Sequence, residues 1–220
     1  LDLPLYLDNP LKACAIAELW FGAGREVENL VMLNLGTGVG AGIVVNGALY
    51  RGSTNSAGEW GHTTIALDGR ACRCGAHGCM EAYVGAPGIV QHLRDVAPDS
   101  PLLHGDDQTA TIAAIADAAG RGDPTAAEVI RVTARYLGAG IANMINLFNP
   151  DVVVLGGWVG MQLGAFLLPG LRSSVARTAL SQPLAAARIE MCQLQHTTSI
   201  GAATFALEGY LATANAKLRD

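Results

Sequence analysis

One stretch of this chain cannot be held together by burial. Three of its five cysteines fall within Cys72-Arg73-Cys74-Gly75-Ala76-His77-Gly78-Cys79. The surrounding segment, 51–79, is rich in glycine and poor in apolar side chains, so little buried surface offsets the entropy of ordering it. A metal closes such a loop. Thiolates with one imidazole make the soft, four-coordinate shell that zinc prefers. The expected ligands are His62, Cys72, Cys74 and Cys79, with His77 as the alternative imidazole. Four protein ligands leave no position for water, so the expected zinc is structural. Gly75 and Gly78 suit the tight turns between Cys74 and Cys79. The competing reading is free surface thiols beside a histidine. An odd cysteine count with three crowded together argues for a metal in a reducing, cytoplasmic compartment rather than for a disulfide framework. Cys14 and Cys192 sit in apolar strings and read as buried fillers.

The remaining composition is that of a folded core. Half of the 220 residues are hydrophobic and 15% are charged, with a formal net charge of −5. This excludes a disordered chain and gives no attraction to a DNA backbone or an anionic membrane. Every long apolar run is broken by glycine, asparagine or a charge, so no membrane span is expected. The opening residues show no basic region followed by an apolar run and a cleavage site, the pattern expected of a signal peptide. The chain opens as LDLPLYLDN without a methionine and is expected to be an excerpt of a longer protein; any DNA-binding element lies outside it.

Strand and helix patterns alternate along the chain. Residues 3–7 alternate weakly, as a short strand would. Apolar residues from Leu11 to Phe21 recur at helical spacing. Residues 30–35 read as a buried strand running into Gly36-Thr37-Gly38, and 42–50 as a hairpin around Asn46-Gly47. A helix is expected near Met80 and another over 84–92, with loop from 98 to 107. Helices follow at 108–119 and 124–147, the second closed by Asn149-Pro150. Strand 151–155 is broken by Gly-Gly-Trp-Val-Gly. A helix over 162–179, a strand over 187–193 and a helix over 200–214 complete an α/β chain.

The run GEWGHTTIALDGRACRCGAHGCMEAY, residues 58–83, closely resembles the ROK family of repressors, open reading frames and kinases. LNLGTGVGAGIVVNGALYRG (33–52) is similar to that family's second phosphate loop and hairpin. VVVLGGWVG (153–160) is similar to its adenosine-side strand, and TSIGAATFALEG (198–209) to its last helix. The resemblance implies an actin-like, hexokinase-like (ribonuclease H-like) fold of two α/β domains around a cleft. Residues 1–29 would be a remnant of the small domain, 30–205 the large domain with zinc loop 58–83, and 206–220 the final helix and tail. It also implies a homodimer or homotetramer, and for regulators of the family an N-terminal winged helix-turn-helix that binds DNA.

Carried over residue by residue, the resemblance assigns a hexose or N-acetylhexosamine to Asn9, Gly58, Glu59, His62 and Glu81. A buried sugar needs each hydroxyl paired, and Glu59 would accept from two of them. His62 would hold zinc with one nitrogen and the sugar with the other. A nucleotide, if bound, would use Gly36, Thr37, Gly38, Gly156 and Gly157, although the bulk of Trp158 stands where adenosine would lie. The departure comes at Asp8-Asn9-Pro10-Leu11-Lys12. Kinases of the family keep an aspartate after the asparagine as general base. Pro10 occupies that position, Asp8 lies two residues too early, and Lys12 replaces a small polar residue. The leading expectation is therefore no catalysis and the sugar-sensing domain of a ROK-type regulator. The rival is a glucokinase-type enzyme using ATP and Mg²⁺.

Overall fold

The computed structural model describes residues 5–217, with side-chain surroundings as far as residue 212. Helix α1 (Pro10–Phe21) is launched by Asn9, whose side chain accepts the Leu11 N–H at 2.7 Å, with Pro10 at the first helical position. Proline is well suited there, because its missing N–H would have had no helical partner. Strands β1 (Leu30–Leu35), β2 (Val39–Val45) and β3 (Ala48–Leu49) form an antiparallel meander, with Asn46-Gly47 at the hairpin turn. After the long loop come α2 (Glu81–Val84), α3 (Ala86–Val96), α4 (Gln108–Gly120) and α5 (Pro124–Phe148). Strand β4 (Val152–Gly156), α6 (Gly157–Thr178), α7 (Ser181–Ala186), β5 (Arg188–Met191) and α8 (Thr197–Lys217) complete the chain.

The five strands make one mixed sheet in the order β3-β2-β1-β4-β5, with β4 parallel to both β1 and β5. β1 and β4 are buried on both faces, and their side chains divide by period two. Val31, Leu33, Leu35, Val153 and Leu155 face the larger core, which α3, α5 and α6 cover. Leu30, Met32, Val152 and Val154 face a smaller core with Cys14, Ala15 and Cys192. Helix α1 lies on that second face and packs against α8. Both isolated cysteines are buried fillers, as expected.

Three elements differ from expectation. The short strand over 3–7 lies partly outside the described residues. Its described part has no regular structure, and Leu5 and Leu7 are 89% and 92% exposed. A strand needs a ladder partner, and the weak alternation there meets none among the described residues. Helix α6 begins at Gly157, not at 162, because the chain turns straight from β4 into a helix through a left-handed glycine (φ +81°). The unexpected α7 is a six-residue helix with no buried residue, too short for an apolar period.

Candidate functional site: a cleft beside a thiolate cluster

The loop that carries the three clustered cysteines is built from short backbone bridges. Thr64 pairs with Cys79 and Ala71 with His77, while the Cys72 N–H reaches the Ala76 carbonyl at 2.8 Å. Gly75 and Gly78 adopt φ of +92° and +74°, the left-handed region that glycine enters without strain. The fold brings the ligand atoms of His62, Cys72, Cys74 and Cys79 within 4.8 Å of one another. His77 is not in this cluster, whose one imidazole is that of His62. Cys72 Sγ lies 3.6 Å from His62 Nδ1, and Cys74 Sγ lies 3.7 Å from Cys79 Sγ. A tetrahedral zinc with metal–ligand bonds of about 2.3 Å to sulfur and about 2.0 Å to nitrogen requires edges of roughly 3.5–3.8 Å. The donor set suits that ion, and these two edges match its spacing. Hydrogen bonding from the Ala76 amide and then from Cys72 draws the Cys74 thiol down to about 7. Burial, followed by the neighbouring Cys74 and Cys72, pushes Cys79 up to about 12. Three adjacent thiolates repel, and a cation offsets that repulsion.

Arg70 ties the base of this loop to the helices behind it. Its backbone N–H donates to the Tyr83 hydroxyl at 2.9 Å, and its Nη1 donates to the carbonyls of Ala82 (3.1 Å) and Gly88 (3.0 Å). Nη2 reaches Asp95 at 2.6 Å and His92 Nδ1 at 2.9 Å. His92 Nε2 lies 2.9 Å from the Tyr83 carbonyl and must donate to it, so Nδ1 accepts from Arg70 and the ring is neutral. Burial, reinforced by the Arg70 charge, pushes His92 down to about 4. Nothing in the spacing of the sequence marked this cluster, because its members come from a loop and two helices.

A pH dependence follows. Between pH 6.5, the usual histidine value, and pH 4 the unfolded chain binds a proton at this position that the folded chain refuses. The stability owed to neutral His92 is therefore complete above about pH 6.5 and is lost progressively as the pH falls toward 4. Urea denaturation of the wild type and of His92→Gln across this range should show the wild type losing stability more steeply on acidification. Parallel profiles would contradict the assignment.

In front of the loop, a cavity of about 440 Å³ brings together Asn9, Glu59, His62, Glu81 and the turn Gly36-Thr37-Gly38. Glu59 is exposed at the head of a 3-10 turn, Trp60–His62, and its carboxylate has no hydrogen-bond partner among the described residues. Asn9 spends its carbonyl oxygen on the α1 cap. Glu81 is engaged on both oxygens, accepting the Val39 N–H at 2.9 Å and Arg73 at 3.0 Å, so it braces β2 against the metal loop. No backbone acceptor among the described residues takes the N–H of Thr37 or Gly38, which leaves both free for an anion.

Gly58 is not among the residues lining the cavity. Its carbonyl accepts the Ala41 N–H at 2.8 Å, and its φ is +100°. It sets the path of the loop into Glu59. Gly156 also lies outside the cavity. Gly157 lines a neighbouring cavity of about 460 Å³, together with Asn34, Met161, Cys192 and His196. Trp158 and Asn34 line both cavities, and the Trp158 Nε1 lies 3.1 Å from where a Cβ on Gly36 would stand.

Pro10 lines the first cavity, but Asp8 does not. Asp8 turns instead to Arg51 and Lys12: it hydrogen-bonds Arg51, accepts the Asn9 N–H at 2.7 Å and lies 3.7 Å from Lys12 Nζ. Burial works to raise Asp8, but the hydrogen bonds from Arg51 and Asn9 prevail and hold it below the usual carboxylate range. Lys12 is 2% exposed and donates to the Asn55 carbonyl at 2.6 Å. Arg51 also sits 5.5 Å above the Phe205 ring of α8.

A three-layer α/β fold with a glycine-turn cleft beside a Cys₃His cluster defines a class that contains both sugar-responsive repressors and sugar kinases. The chain belongs to the ROK family, whose model matches residues 1–208. It is 31% identical over 198 residues to a xylose repressor of Caldicellulosiruptor bescii, covering 88% of this chain and 49% of that protein. It is 37% identical over 177 residues to a glucokinase of Halalkalibacterium halodurans, covering 76% and 52%. Among solved structures it is similar to a ROK-family glucokinase from Streptomyces griseus in complex with glucose and AMPPNP. That match has a TM-score of 0.83 and 32% identity, with 94% of this chain and 69% of that chain covered. The chain spans about half the length of the curated relatives it matches. No described helix is long and apolar enough to cross a membrane.

Proposed function

We propose that this chain is the sugar-sensing part of a cytoplasmic ROK-family transcriptional regulator. A hexose or N-acetylhexosamine binds in the cleft through Asn9, Glu59 and His62, and zinc on His62, Cys72, Cys74 and Cys79 holds the loop that presents two of them. Zinc here supplies order and fixes the imidazole rather than reacting. Sugar occupancy biases the packing of the cleft walls, and a helix-turn-helix outside this chain, in a homodimer or homotetramer, reads that bias on DNA. The observation that carries this reading is the fate of the base. Pro10 faces the cavity with no proton acceptor, while its neighbour in sequence, Asp8, lies outside the cavity lining and is held as an anion by Arg51 and Lys12. A general base must reach the attacking hydroxyl and have a pKa near the working pH, and Asp8 meets neither requirement.

A second reading, a glucokinase-type enzyme, is favoured by the 37% identity to a glucokinase and by the free amides of Thr37 and Gly38. One preparation of the intact protein separates the two. Calorimetry with hexoses and N-acetylhexosamines should detect binding, while a coupled assay with ATP, Mg²⁺ and the same sugars should stay at background. Turnover well above background that Asp8→Asn abolishes would establish the kinase instead.

A further inference from the structure

Behind the metal loop, a further cavity of about 420 Å³ opens between α5 and α6. Its lining includes Ile65 from the metal loop, Arg135 and Tyr136 from α5, and Ser174, Arg177 and Thr178 from α6; no carboxylate lines it. The hydroxyl protons of Ser174 and Thr178 are spent on the carbonyls of Arg135 (3.2 Å) and Ser174 (2.8 Å). The open donors are the others. Arg135 makes no side-chain hydrogen bond among the described residues, and the same holds for the Tyr136 hydroxyl. Arg177 commits only Nη1, to Ser173 Oγ at 2.6 Å. Glu128, outside the cavity wall, interacts electrostatically with Arg135, while its two oxygens accept hydrogen bonds from Arg131 at 2.6 and 2.5 Å. In a chain of net charge −5, a concave site thus gathers two guanidinium groups and a phenol with no compensating anion in its wall.

We propose that this cavity is a second ligand site that takes a phosphate monoester and acts on the cleft through the metal loop. Guanidinium forks match phosphate oxygens two by two, and a phenol O–H adds a third donor. The volume suits a small phosphorylated metabolite. Two contacts lead from the cavity to the loop. The Ile65 N–H donates to the Gly78 carbonyl at 2.8 Å, directly before the ligand Cys79. Tyr136 stacks on Tyr83 with centroids 4.3 Å apart, and Tyr83 accepts the Arg70 N–H at the loop's base. A ligand that orders Tyr136 and Ile65 therefore steadies the segment that presents His62. This coupling rests on the sugar reading; the anion site itself does not.

The test is titration calorimetry of the intact protein with inorganic phosphate and with glycerol 3-phosphate, against chloride at matched ionic strength. Saturable binding of both is expected, weakened about tenfold or more by each of Arg135→Gln and Arg177→Gln, since each removes charge-assisted hydrogen bonds. Both side chains are exposed, so both variants should fold as the wild type does. No saturable binding overturns the proposal. Binding that persists unchanged in the double variant also overturns it, by placing the anion elsewhere, as at Gly36-Thr37-Gly38. A sugar titration with and without phosphate then reads the coupling, and failure of sugar to bind at all indicts the cleft reading alone.

Discussion

Cys79→Ser in the intact protein is expected to lose its zinc and, with it, about a hundredfold in sugar affinity. Cys79 is fully buried and joins the loop to α2. Without it, three ligands remain for an ion that a structural site holds with four. Loops closed by such ions draw most of their order from them, with apparent zinc binding energies of about 10–16 kcal/mol. Glu59 and His62 then lose their fixed positions together. Two polar contacts at about 1–1.5 kcal/mol each amount to about a hundredfold. Metal analysis should give close to one zinc per chain for the wild type and far less for the variant, and calorimetry should read the affinity. Glu59→Ala separates the effects, keeping zinc while weakening sugar binding about tenfold. A zinc-free Cys79→Ser that binds sugar as the wild type does would show that the loop orders itself without metal.

Gly58→Ala should be strongly destabilising for a single added methyl group. A Cβ at this position would stand 2.0 Å from the Ala41 carbonyl oxygen, on a backbone with φ of +100°. Ala41 is 1% exposed in β2, so the strand has no room to yield. Left-handed strain of about 1–2 kcal/mol adds to a displaced hydrogen bond of about 1 kcal/mol. A loss of about 3 kcal/mol lowers the melting temperature by roughly 6–12 °C in a domain of this size. Gly47→Ala is the control. It has φ of +74° but nothing within 4 Å of its Cβ, so it carries the strain without the collision. Thermal denaturation should place Gly47→Ala between the wild type and Gly58→Ala. Equal melting of the two variants would remove the collision from the account.

What was legible in the sequence was local or chemically unambiguous. Asn46-Gly47 marked the hairpin because few other pairs suit that turn, and the apolar run at 30–35 marked a strand buried on both faces. The thiolate spacing pointed to a cysteine cluster, and the fold gathers His62 rather than His77 into it, a difference that nearness in sequence did not show. The start of α6 was obscured because Gly156-Gly157 reads as a break, whereas here a left-handed glycine turns the chain directly into a helix. The roles of Arg70, His92 and Lys12 were not legible at all. Each is set by partners from distant segments, and a buried lysine or a neutral histidine leaves no period or motif. The cleft residues came from the family motif, and the fold adds that Gly58 shapes the loop rather than lining the cavity.

Trp158 forms a wall common to two chambers. A guest that pushed the indole aside would enlarge its own chamber at the other's expense. Occupancy on the two sides would then be antagonistic, and by reciprocity each guest would weaken the other by the same factor. A phosphoryl-transfer enzyme requires the opposite, two guests seated together and touching. The indole would also report such antagonism, since its emission would shift as either chamber exchanged water for ligand, with Trp158→Phe separating its signal from those of Trp20 and Trp60.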